Sequence, residues 1–136
     1  MILVDSNVWI DVIQRDPVWL EWSLEQLDLA SRSNGLAINA IICAELAPNF
    51  DSSIKLAQFI KASKTKNLPL SHECAYLAGS THLKFRQSKR ADKTTVVGVL
   101  ADFFIGAQAQ TEGLSILTRD AARYKTYFPT VPLICP

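Results

Sequence analysis

Short apolar runs alternate with longer stretches of helical periodicity along this chain, and no other feature constrains its fold as tightly. Ile2-Leu3-Val4, Leu36-Ala37-Ile38 and Leu114-Ser115-Ile116-Leu117 each stop at a residue that favours turns or helix starts. Runs of this kind suit strands buried on both faces. Parallel neighbours among such strands need helical crossovers, which then cover the sheet. The pattern predicts an α/β fold: a parallel sheet between helices, built as one domain over residues 1–136. It does not predict the strand order.

Local signals set the boundaries. Asp5-Ser6-Asn7 follows the first run and favours a helix start, with Val8, Trp9, Val12 and Ile13 at helical spacing. Asp16-Pro17 opens a second helix, expected over 18–33, and Asn34-Gly35 stops it. Asn39 can cap a helix that ends before Pro48. Asp51-Ser52-Ser53 starts another, and residues 64–67 read as a polar turn. Leu68-Pro69-Leu70 reads as an edge strand. Ser71 opens a helix expected to reach Arg90, followed by a loop over 91–95. Residues 99–111 form a helix rich in small residues, closed by Glu112-Gly113. Asp120 starts a short helix, and residues 131–134 form a last strand.

Composition narrows the class. Apolar residues make up 49% of the chain and charged residues 20%, a globular balance. No apolar run approaches the ~20 residues of a membrane span. Met1 to Val4 is too short for a signal-peptide core, so a cytoplasmic protein is the expectation. Cys43, Cys74 and Cys135 lack metal or redox spacing and read as reduced thiols, two of them in the core. Residues 1–54 carry eight acids and two bases, a net −6; residues 55–136 carry twelve bases and five acids, a net +7. Lys84, Arg86, Lys89, Arg90 and Lys93 are either a phosphate footprint or a solvated helix end. His72 and His82 lack metal-binding spacing and read as surface or structural residues.

Four acids stand where chemistry would sit. In open parallel sheets, ligands bind beyond the carboxyl ends of the strands, where the strand order reverses. Asp5 follows the first strand directly, and Asp120 follows the Leu114–Leu117 strand after two residues. Should those strands be neighbours, both carboxylates face one crevice. Glu45 and Asp102 lie within apolar helical segments, where a buried acid needs a partner or a metal. Taken singly, each also fits the solvent face of an amphipathic helix, and Asp5 or Asp120 fits a simple N-cap. Gathered together, four carboxylates repel and hold protons unless a cation joins them. An oxygen-only set suits Mg²⁺ or Mn²⁺ and hydrolysis of a phosphodiester.

The segments around these acids resemble the four motifs of the PIN-domain family. Ile2-Leu3-Val4-Asp5-Ser6-Asn7-Val8-Trp9-Ile10 is similar to its opening, and Ile38 to Leu46 to its second motif, centred on Glu45. Ala101 to Ala109 resembles the third; Gly113 to Asp120, with Tyr124 and Phe128-Pro129, resembles the fourth. Chain length and the last two blocks look most like VapC-type toxins of toxin–antitoxin pairs. Ser6 stands where Thr is more usual, and residues 95–100 are more apolar than the family's frequent approach.

The resemblance implies a three-layer α/β/α sandwich and an endoribonuclease using Mg²⁺ or Mn²⁺. It implies an RNA substrate, a homodimer, and inhibition by a cognate antitoxin. Position by position it assigns Asp5, Glu45, Asp102 and Asp120 to metal binding and catalysis. Ser6 and Asn7 become supporting or substrate contacts, and Thr118 a supporting hydroxyl. Arg119 and Lys125 are candidates for phosphate contact from their charge. Trp19 and Trp22 are either core or part of an antitoxin groove. Two other readings stand beside this one. A non-catalytic RNA- or antitoxin-binding module would carry a degenerate site. An aspartyl phosphotransferase would need a second Asp where Asn7 stands.

Overall fold

The computed structural model describes residues 1–88 and 99–136. The elements run β1 (Ile2–Val4), α1 (Ser6–Ile13), α2 (Leu20–Ser33), β2 (Leu36–Asn39), α3 (Ala40–Leu46), a 3₁₀ turn (Ala47–Asn49), α4 (Ser53–Ala62), β3 (Lys66–Leu68), α5 (His72–Arg86), α6 (Leu100–Glu112), β4 (Ser115–Leu117), α7 (Ala122–Tyr127) and β5 (Leu133–Ile134). All strand pairs are parallel, in the order β3-β2-β1-β4-β5.

That order sets everything that follows. From β1 the chain moves outward through β2 to β3, then returns across the sheet to β4 on the other side of β1 and continues to β5. Right-handed crossovers then put α1–α4 over one face and α5–α7 over the other, giving the α/β/α sandwich. Consecutive residues of a strand face opposite sides, and Ile2, Leu3 and Val4 are all buried. So are Leu36, Ala37 and Ile38, which requires cover on both faces of the sheet centre. The reversal lies between β1 and β4, where Val4 pairs with Leu117.

The helix ends follow their sequence signals. Asn39 Oδ1 accepts from the amide of Ile42 at 2.9 Å, and Ser52 and Ser71 cap α4 and α5 in the same way. Gly35 (φ +78°) and Gly113 (φ +66°) end α2 and α6 in the left-handed region, which glycine enters without a Cβ penalty. A buried polar bridge joins the layers near the sheet. Asn39 Nδ2 donates to Gln108 Oε1 at 2.8 Å, and Gln108 Nε2 donates to the carbonyl of Pro69 at 3.1 Å.

Some boundaries differ from expectation. α2 begins at Leu20, not Val18, because Asp16 Oδ1 takes the amides of Val18 and Trp19 in a preceding turn. β3 begins inside the expected polar turn, because an edge strand needs only backbone pairing with β2 and its polar side chains stay in solvent. α5 ends at Arg86, with Gln87 at its C-cap, short of the expected Arg90. Asp120 does not cap α7; Ala121 holds that position. Only Cys74 of the cysteines is fully buried, and all three are free thiols. His72 is exposed, whereas His82 is buried against the Phe103 ring at 5.2 Å. Lys84 and Arg86 are exposed on the last turns of α5, while Lys89, Arg90, Lys93 and the loop over 91–95 lie outside the described residues. Among the described residues no helix is long and apolar enough to cross a membrane.

Candidate active site at the β1–β4 crevice

Asp5 stands at the carboxyl end of β1, and its amide extends the ladder by donating to the Leu117 carbonyl at 2.9 Å. It occupies the N-cap position of α1, yet its side chain makes no capping bond. The carboxylate turns toward β4 instead. Oδ2 accepts from Thr118 Oγ1 at 2.8 Å, from the Tyr124 hydroxyl at 3.1 Å and from Asn7 Nδ2 at 3.2 Å. Among the described residues, Oδ1 has only a long contact with Ser6 Oγ, at 3.5 Å. One oxygen is therefore tied by three donors while the other is left to the crevice.

Asn7 and Thr118 lock the two sides together. Asn7 Nδ2 also donates to Thr118 Oγ1 at 3.1 Å, and Asn7 Oδ1 accepts from the Arg119 amide at 3.3 Å. The amide of Asp120 donates to Thr118 Oγ1 at 3.1 Å. These three hydrogen bonds thus order the loop after β4 against the start of α1.

The acids then meet. Asp5 is 4% exposed, and burial pushes its pKa up to about 6. Thr118 and Tyr124 pull it down by hydrogen bonding, while the charges of Asp102 and Glu45 push it up. Glu45, half-buried on α3, is also raised, first by desolvation and then by Asp102, against a hydrogen bond from Ser6. Its Oε2 is buried without a hydrogen-bond partner among the described residues. Asp102, in the first turn of α6, is raised by burial and by Asp120, with the Arg123 guanidinium opposing. Arg123 Nη1 donates directly to Asp102 Oδ2, and its guanidinium lies 5.6 Å from the Phe85 ring centre.

Asp5, Glu45 and Asp102 therefore share one electrostatic neighbourhood. Asp120 belongs to it only partly: its carboxylate is exposed, and the charge it influences is that of Asp102. Among the described residues no three acids, histidines or cysteines are close enough to form a ready metal cage. The donor chemistry nevertheless suits a hard cation. It offers oxygen only, it includes a buried carboxylate oxygen without a partner among the described residues, and burial together with repulsion from neighbouring acids raises the pKa of all three inner acids.

Three participants carry no assignment from sequence. Tyr124 lies in the fourth motif, but nothing in the sequence shows its hydroxyl reaching Asp5. Arg123 reads as one more surface base until α7 folds it onto Asp102. Asp11 is flanked by Trp9, Ile10, Val12 and Ile13, the same apolar setting that marks Glu45 and Asp102, so that criterion applied evenly would have found it. It is 1% exposed and accepts from Ser23 Oγ at 2.8 Å and Arg119 Nε at 2.9 Å. Arg119 is thereby committed to Asp11, with its guanidinium 5.6 Å from the Trp19 ring centre. Trp19 and Trp22 meet edge to face at 5.9 Å, both only partly buried.

The sequence profile of the PIN domain matches residues 2–129, nearly the whole chain. The chain belongs to the PIN domain family. This PIN domain is similar in fold to solved structures of proteins from several bacteria. It aligns with "VapBC2 from Rickettsia felis bound to a DNA fragment from their promoter" at a TM-score of 0.71 and 20% identity, covering 100% of this chain and 99% of that one. It aligns with "FitAcB from Neisseria gonorrhoeae" at a TM-score of 0.62 and 21% identity, covering 98% and 96%. A "toxin-antitoxin complex from Klebsiella pneumoniae" aligns at 0.64 and 20%, again covering 98% and 96%. At such identities the likeness speaks for the fold of the PIN domain. Among curated proteins none matches the sequence significantly.

Proposed function

We propose that this PIN domain is a metal-dependent endoribonuclease and the toxin of a toxin–antitoxin pair. The observation that carries the reading is Asp5: a buried carboxylate at the strand-order reversal, its pKa raised to about 6 by burial and by the charges of Asp102 and Glu45. A fold that only needed to be stable would not collect three acids there, since burying like charges is costly.

Asp5, Glu45 and Asp102 would hold Mg²⁺ or Mn²⁺, with Asp120 at the rim. Such a cation, when bound, offsets the carboxylates' repulsion, polarises the scissile phosphate and makes water a usable nucleophile. The chain's own residues supply orientation. Thr118, Tyr124 and Asn7 fix Asp5 Oδ2 and so direct Oδ1 into the crevice. Glu45 Oε2, buried and unpartnered among the described residues, is placed to accept a proton or a ligand. Ser6 Oγ lies 3.5 Å from Asp5 Oδ1 and opposes the rise in the Glu45 pKa.

The toxin assignment and a protein antitoxin partner draw support from the fold's likeness to a chain solved in a toxin–antitoxin complex; a homodimer is part of the proposal on the family resemblance alone. One observation favours the non-catalytic module as a second reading: the Arg123 guanidinium pairs directly with Asp102 and can compensate its charge. The phosphotransferase reading loses ground, because Asn7 is spent on Asp5 and Thr118 and offers no acid.

The deciding experiment incubates the purified chain, freed of any antitoxin, with total cellular RNA and Mn²⁺ or Mg²⁺. An Asp5→Asn variant and a chelator serve as controls. Discrete metal-dependent fragments that vanish in both controls are expected. Full cleavage by Asp5→Asn would sink the site assignment, and tight RNA binding without cleavage in either metal would favour the binding module.

A further inference from the structure

Asp11 is a buried acid that the proposed chemistry does not use. It lies one helical turn beyond Asn7 on α1, so both side chains point to the same side of the helix. Both reach the same target. Asn7 Oδ1 accepts from the backbone amide of Arg119, and Asp11 Oδ2 accepts from the Arg119 side chain at Nε. Arg119 is thus tethered at two points, backbone and guanidinium, to two positions one turn apart on a rigid helix. The Trp19 ring closes over the guanidinium, and Ser23 of α2 holds Asp11 Oδ2 from behind.

The tether matters because of what flanks Arg119. On one side is Thr118, whose hydroxyl makes the shortest bond to Asp5. On the other is Asp120, whose amide is bonded to that same hydroxyl. A buried carboxylate does not stay charged without a partner, and Asp11 Oδ1 has none among the described residues, so Arg119 carries its compensation. This ion pair ties the residue after Thr118 to α1.

We propose that Asp11 and Arg119 form a positioning pair that holds the Thr118–Asp120 loop in register with Asp5. This rests on the nuclease reading for its effect on turnover, but not for its geometry. The pair touches no reacting atom; it acts through Asn7 and Thr118 on the orientation of Asp5. Arg119 therefore serves the site as an internal strut and not as a phosphate contact.

The test compares the wild-type chain with Asp11→Asn, Arg119→Gln, Arg119→Lys and the Asp11→Asn/Arg119→Gln double variant. It reads RNA cleavage and, separately, the ¹⁵N spectrum of the free protein. Cleavage should lose about tenfold or more in kcat in either neutral single variant, with KM changed less than twofold. The double variant should be no worse than the weaker single one, because one contact is removed once. Arg119→Lys, milder because it keeps the charge, should recover part of the loss. In the free protein the Arg119 Nε–H should exchange slowly, and the Asn7 side-chain amide pair should shift in Asp11→Asn while most of the spectrum stays. Additive effects that track only melting temperature, with Asn7 unmoved, would overturn the proposal. A shift at Asn7 in Asp11→Asn, together with a wild-type chain that cleaves no RNA, would keep the pair and remove the nuclease reading instead.

Discussion

The hydroxyl of Tyr124 donates to Oδ2 of Asp5 at 3.1 Å, across 119 residues of sequence. Both groups are buried, so the bond ties α7 to the end of β1 where solvent cannot replace it. Tyr124→Phe removes the donor and leaves the shape. Because this bond lowers the pKa of Asp5, its loss should raise that pKa above about 6. It should also cost about 1–2 kcal/mol at pH 8, where Asp5 is ionised, and less at pH 4.5. Urea denaturation at the two pH values measures this; equal losses would mean that the hydroxyl does not serve the carboxylate.

Asp5 itself should destabilise the metal-free fold. Its pKa is about 6 in the folded chain against 3.8 for an ordinary Asp. Below pH 3.8 the carboxyl is protonated in both states and costs nothing. Between the two values the unfolded chain ionises first, and stability falls as pH rises; above pH 6 the whole penalty, about 3 kcal/mol, is present. Asp5→Asn should therefore melt higher than the wild type at pH 8 in chelator, with the gap closing toward pH 4. Added Mn²⁺ should raise the wild-type melting point and do little for the variant. Identical melting at pH 8 would show that the carboxylate is not under strain.

Gly106 allows α6 and the segment after α7 to approach. A Cβ there would lie 2.2 Å from Cδ2 of Phe128 and 2.8 Å from its Cγ, and the Phe128 ring is buried. Gly106→Ala should cost about 3 kcal/mol or more despite its better helix propensity. A Gly106→Ala/Phe128→Leu chain should recover part of the loss in thermal melts. A fully stable single variant would mean that the ring has space to move.

Gln108 completes a polar bridge that an apolar residue cannot. Gln108→Leu strands Asn39 Nδ2 and the Pro69 carbonyl together, at about 2–3 kcal/mol. Asn39 also caps α3, the helix that carries Glu45, so the effect reaches the site. The urea midpoint should fall with an unchanged slope, and Asn39→Ala should then cost less in the Gln108→Leu background than in the wild type.

Much of this was legible in the residues themselves. Ile2-Leu3-Val4 announces a doubly covered strand because all three side chains are apolar, and the abrupt change to Asp5 marks its end. Asn39, Ser52, Ser71 and Gly113 act through bonds local to the chain, so their signals are local too. β3 was misplaced because an edge strand draws on its neighbour's backbone, which leaves Lys66 and Asn67 free to look like a turn. The neighbourhood of Asp5, Glu45 and Asp102 follows from motif order, but the partners of Asp5 do not. Thr118 and Tyr124 become its donors only through the parallel pairing of β1 with β4, a relation spanning more than a hundred residues that leaves no periodic trace. The Arg123 contact with Asp102 is hidden for the same reason.

The pairing of Val4 with Leu117 also governs which changes of chain length the protein can absorb. Asp5 and Thr118 meet because each is the next residue along a strand only three residues long. One residue gained within either strand would put Val4 or Leu117 where the carboxylate or the hydroxyl stands, one lost would put Ser6 or Arg119 there, and either would turn core side chains to the opposite face. The stretch around β3, at the far margin of the sheet, carries no such alignment. Insertions and deletions should therefore accumulate there, leaving the centre of the sheet with the fixed spacing of a ruler.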